Sequence, residues 1–125
     1  PQILVLCRGV SGTGEVRLSP KFAYITNLSI VVETKNIFSK LFLFYFLKNE
    51  DLKSLDSGSA QSMITTGDLY RHRILCPKND IQKDFENKIQ KILNVIESTN
   101  KESQKLTELK ELLLARMTRV KTEKL

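Results

Sequence analysis

Side chains able to do chemistry are few and scattered. The one histidine, His72, is flanked by Arg71 and Arg73, two cations that make it a poor lone base or metal ligand; it reads as a strand-edge residue. Ser11-Gly-Thr-Gly14 is rich in glycine but lacks the Gly-Lys-Ser/Thr ending of a phosphate-binding loop. A tight turn is the better reading, and a phosphate-binding transferase ranks last among the functional ones. There is no Cys-x-x-Cys or His-x-x-x-His pair, and Glu97, Glu102, Glu108 and Glu111 fall at solvent-face positions, so no catalytic centre, metal site or cofactor is expected. What remains is binding chemistry. Arg8, Arg17 and Lys21 lie beside glycine and proline turns. Gly58-Ser59-Ala60-Gln61-Ser62 and Thr65-Thr66 offer small polar groups able to approach a phosphate or a base edge closely.

The chain that must position these residues has 125 of them, room for one modest domain plus an element that needs little core of its own. With 41% hydrophobic and 27% charged residues it should fold rather than stay disordered. The net charge of +6 favours polyanionic partners. Neither part of the chain owns that excess, because Lys and Arg divide ten and ten, and Asp and Glu seven and seven, between residues 1–80 and 81–125. Pro1 followed directly by a strand-like run reads as the interior of a longer protein. Cys7 and Cys76 sit in apolar runs, where buried inert thiols are expected. The longest apolar stretch, Leu41 to Leu47, is far short of the ~20 residues of a membrane span, so a cytoplasmic protein without membrane contact is expected.

All five glycines and all three prolines lie in the first 77 residues. That break places a turn-rich domain at 1–78 and a long helix at 79–125. In the domain, strand-like runs at Ile3–Cys7, Leu28–Glu33 and Arg73–Cys76 alternate with turn residues. Asn36 is placed to cap a helix whose Phe38, Leu41, Phe42, Tyr45 and Phe46 recur at helical spacing. These aromatics read as a core face in preference to a base-stacking platform. The expected fold class is α+β.

Past the break, Asn79 and Gln82 resemble a capping box. Apolar residues then fall at Phe85, Ile89, Ile92 and Ile96, and again at Leu106, Leu109, Leu113, Met117 and Val120, with Thr99 and Ser103 between them. Steps of three and four over this length predict a coiled-coil stripe with a polar waist, on a helix extending ~60 Å at ~1.5 Å per residue. A short bundle broken near Ser98-Thr-Asn100 is the alternative.

The order of these features resembles the end of a target recognition domain in type I restriction-modification specificity subunits. The residues that carry the resemblance are Gly58-Ser-Ala-Gln61, then Ile64-Thr65 and Asp68-Leu69, a short strand ending at Pro77, and Ile81-Gln82 with Phe85 opening a long helix. Ile3 to Val16, with Arg8-Gly9 and the Gly12 and Gly14 turn, is similar to an earlier part of the same domain. A single Pro77 stands where the family has two prolines, and Ile81 where it often has Glu.

The resemblance implies a non-catalytic subunit that reads double-stranded DNA. Two recognition domains would each read half of a split target, held apart by spacer helices, while methylation and restriction belong to separate modification and restriction subunits. Candidate DNA-binding residues are Arg8, Arg17, Lys21, Ser59, Gln61 and Ser62, with Ser59 and Gln61 favoured as structural hydrogen-bonders. Ile89, Ile92, Ile96, Leu106, Leu109 and Leu113 are expected to face a second spacer helix, in the same subunit or in a homodimer. The rival reading is a coiled-coil protein-interaction module without DNA binding.

Overall fold

The computed structural model describes residues 1–9, 11–56 and 60–123, with side chains up to Arg119. Three strands form an antiparallel sheet in the order β2-β1-β3: β1 at Ile3–Leu6, β2 at Val16–Leu18 and β3 at Ser29–Val32. Ile3 faces Leu18 on one side and Val32 on the other. Helix α1 spans Lys40–Asn49, a 3-10 turn Leu52–Leu55, α2 Thr66–Arg71 and α3 Asn79–Glu123. This is the expected α+β class. The chain divides into two compact units, Pro1–Glu86 and Asn87–Leu125.

In the first unit, alternation along β1 turns Ile3 and Val5 fully inward, where they meet Val16, Leu43, Phe44, Leu47 and Leu52. Burying each of these side chains contributes roughly 1.5–3 kcal/mol against leaving it in water. The buried face of α1 is therefore Leu43, Phe44 and Leu47, not the expected Phe38, Leu41, Phe42, Tyr45 and Phe46 stripe. The run is apolar on every side, so periodicity alone does not choose its inner face. The expected stripe is half-buried as well: the Phe42 and Tyr45 rings lie 5.6 and 6.2 Å from Phe85 of α3, edge-on.

Local boundaries differ from expectation in three places. Ser39, not Asn36, caps α1, its Oγ accepting from the Phe42 N–H. Asn36 instead takes a left-handed conformation (φ 62°) in the preceding turn, which its short polar side chain tolerates. Arg73–Cys76 forms no strand but an irregular segment leading into α3, and Cys76 on it is exposed, while Cys7 is buried. His72 ends α2 rather than edging a strand, and its Nε2 lies 3.3 Å from Glu50 Oε2 without being aligned for a hydrogen bond.

Gln82 forms no capping box. Its side chain is buried, with Oε1 accepting from the Ser39 N–H (2.7 Å) and Nε2 donating to the Pro77 and Ile37 carbonyls (2.9 and 3.4 Å). One amide thus ties the start of α3 to the turn before α1. A buried amide so satisfied is stabilising, whereas its removal would orphan a buried N–H. The capping box lies instead at Thr65 and Asp68 on α2.

The second unit is helical, and α3 runs without interruption through Ser98–Asn100, against the bundle alternative. Thr99, Thr107 and Thr118 each donate to the carbonyl four residues earlier, and Lys101 pairs with Glu97 at 2.8 Å. Among the described residues no helix is long and apolar enough to cross a membrane.

Candidate nucleic-acid interface

Arg8 leaves the end of β1 and is held by an antiparallel bridge to Met63, while the Ile64 N–H donates to the Cys7 carbonyl at 2.9 Å. Ile64 itself is fully buried and anchors the returning segment. These contacts bring Arg8 and Gly9 into one cleft with Ala60, Gln61 and Ser62. Arg8 and Gln61 are exposed there, so guanidinium and amide are both presented to solvent.

The loop side of the cleft is braced from within. The Asp56 carboxylate accepts from the Ser62 hydroxyl and, at 2.8 Å, from the Met63 N–H. Ser62 is thereby committed to an internal bond, while Gln61 makes no side-chain hydrogen bond among the described residues. On the strand side the glycine turn is equally constrained. Buried Thr13 donates to the Gly9 carbonyl at 3.0 Å, and the Gly14 N–H donates to Leu6 at 2.8 Å. Gly14 has φ 87°, and a Cβ there would lie 2.7 Å from the Lys53 backbone nitrogen. Only glycine allows the turn to sit against the 3-10 segment.

The remaining candidates lie elsewhere. Arg17, on edge strand β2, grips Glu15 through two bonds of 2.7 and 2.8 Å. Hydrogen bonding between them raises the Arg17 pKa and holds the Glu15 carboxyl below its ordinary value. A phosphate would have to compete with that carboxylate. Lys21 follows the end of β2 that lies beside Ile3, so the antiparallel register puts it at the opposite end of the sheet from Arg8. Ser59 lies outside the described residues. The structure therefore joins Arg8, Gln61 and Ser62 and leaves Arg17 and Lys21 apart from them.

One contributor to the cleft, Asp56, carries no sequence signal. Asp56 acts across six and seven residues, a separation set by the loop path and not by any periodicity. Away from the cleft, Gln82 stands in the motif at the helix start, but its partners at 37 and 39 leave no mark in the sequence.

On α3 the expected packing residues share an open apolar face. Ile89 is half-buried; Ile92, Ile96, Leu106, Leu109 and Leu113 are all exposed, at 49–66%. Met117 of the same stripe is exposed as well, and Val95, Leu112 and Leu114, also exposed, widen the face beyond a single seam. The Val120 side chain lies outside the described residues.

The chain matches the family model for the type I restriction modification DNA specificity domain over residues 1–111. No curated protein and no solved structure matches it.

Proposed function

The chain belongs to the type I restriction modification DNA specificity domain family, and on that premise we propose that it reads double-stranded DNA for separate modification and restriction subunits. The observation that carries the reading is the cleft in which Arg8 and Gly9 meet Ala60, Gln61 and Ser62. A cation suited to phosphate stands there beside an exposed amide suited to a base edge. Arg8 and Lys21 act as phosphate contacts; Arg17 joins them only by exchanging Glu15 for a phosphate. Gln61 reaches outward, and Ser62, bonded to Asp56, holds the loop beside it.

The two kinds of structure support a division of labour. Residues 1–78 carry the choice of sequence, and residues 79–125 set the spacing between this recognition domain and a second one reading the other half of a split target. Ile89, Ile92, Ile96, Leu106, Leu109 and Leu113 pack on a second spacer helix, from the same subunit or another copy. The work is done in the cytoplasm.

Chimeras test this division directly. Moving the complete recognition domain that contains residues 1–78 into a related subunit should change one half of the methylated motif and leave its spacer length unaltered. Lengthening the helix should change the spacer instead, since each residue adds ~1.5 Å along the axis. Genome-wide methylation profiling reads both results. A helix exchange that altered the recognised bases would overturn the division.

A further inference from the structure

The connection from β2 to β3 presents two aromatic rings to solvent in full: Phe22 and Tyr24 are each 102% exposed. The connection is nonetheless fixed at both ends. Ser19 is buried, its N–H donating to the Gln2 carbonyl and its Oγ accepting from the Gln2 N–H, both at 2.8 Å. At the other end the Cys7 N–H donates to Leu28 at 2.9 Å, and the Cys7 thiol approaches the Asn27 carbonyl. That second anchor is the residue next to Arg8, so the connection ends beside the Arg8–Gln61 cleft.

Two unfavourable features coincide at Phe22. Its ring lies in water, and its backbone is left-handed (φ 59°), a conformation that crowds the Cβ of a bulky residue against the carbonyl. Folding alone would favour glycine or asparagine at this position. Strain held in an exposed, anchored segment points to use by a ligand. From Val16 to Val32 there is no Asp or Glu, and Arg17 and Lys21 are the charged residues. The other exposed residues of the connection are Pro20, Lys21, Ala23, Thr26 and Asn27, with Leu28 at 48% the one further large apolar side chain exposed there, less apolar area than the core of a protein interface uses. A cation beside two aromatic faces suits a polyanion with stacked bases.

We propose that Phe22 and Tyr24 form a wedge that stacks against bases at a partly opened step of duplex DNA, with Lys21 on an adjacent phosphate. This rests on the DNA-reading function proposed above. The test uses the assembled complex of parent specificity subunit and modification subunit, with target duplexes carrying 2-aminopurine at successive positions. The wild-type complex should brighten the probe at one or two adjacent positions. The Phe22→Ala/Tyr24→Ala double variant should lose that signal and bind about tenfold or more weakly with an unchanged salt slope. Phe22→Trp/Tyr24→Phe should restore both. A wild-type complex that binds its target without brightening any probe position, or a double variant that binds and brightens like wild type, would remove the wedge and leave the DNA reading standing. A double variant that instead fails to assemble with the modification subunit would also overturn it, by assigning the rings to a protein contact. A wild-type complex without target-specific binding would remove the underlying reading as well.

Discussion

Helix α1 and the Asn87–Glu123 stretch of α3 are both rich in apolar side chains, and they dispose of them in opposite ways. In α1, Leu43, Phe44 and Leu47 are buried against the sheet side, and Phe42 and Tyr45 reach Phe85. In α3, Ile92, Leu106 and Leu113 keep half or more of their surface in contact with water. The ten apolar-rich residues of α1 find their cover on the sheet and the 3-10 turn of the same unit. The apolar face of α3 stays open instead, and in the function proposed above a second spacer helix would cover it. Helical periodicity marks both faces in the same way; what distinguishes them is the amount of covering surface the chain supplies.

The sharpest way to break this comparison is to damage one face of each kind. Ile92→Asp should weaken association through α3 by ~100-fold or more, about 3 kcal/mol, in sedimentation of the parent subunit, because a carboxylate would have to be buried in the proposed seam. The denaturation midpoint of the Pro1–Glu86 fold should stay within about 0.5 kcal/mol of wild type. Unchanged association would show the open face to be unused. Leu52→Ala should do the reverse, lowering fold stability by about 3 kcal/mol in urea titrations while α3 still associates, since Leu52 is only 1% exposed within the core.

A smaller effect sharpens where the covered region ends. Gln82 lies in the first turns of α3 yet is bonded like a core residue. Gln82→Ala should destabilise the first unit by about 2 kcal/mol through the orphaned Ser39 N–H. Gln82→Glu should be worse, because a carboxylate cannot donate to the Pro77 and Ile37 carbonyls. Equal midpoints for wild type and Gln82→Ala in chemical denaturation would show that the amide contributes nothing to the joint.

Smaller again is the expected change at the cleft, where exposure serves binding and not folding. Arg8→Ala in the assembled complex should weaken DNA binding roughly tenfold and reduce the salt slope by about one. Weaker binding at an unchanged slope would exclude a phosphate contact.

The least effect is a pH dependence on α2. Hydrogen bonds from Thr65 hold the Asp68 carboxyl below its ordinary value, with a lesser contribution from Arg71. A depressed folded-state pKa means that the stabilisation is present above the ordinary carboxylate range and is lost as pH falls through the lower, folded value. Denaturant midpoints of wild type and Asp68→Asn should therefore differ by a constant amount near neutrality and converge in acid. A difference independent of pH would remove Asp68 as the source.

The sequence by itself determined the α+β class, the strands around Ile3 and Ile30, the existence of α1 and the unbroken α3. Each is a local consequence of periodicity, turn residues or the absence of Gly and Pro after Pro77. The order of motifs likewise points to the family. Tertiary structure alone decided that Leu43, Phe44 and Leu47 turn inward, since an all-round apolar helix takes its orientation from the surface it meets. It alone sent the Gln82 amide across to Ser39 and Ile37, because a long-range hydrogen bond leaves no trace in spacing. Arg8 and Gln61, 53 positions apart in the chain, meet in one cleft only because the bridge at Met63 and the burial of Ile64 bring the two segments together.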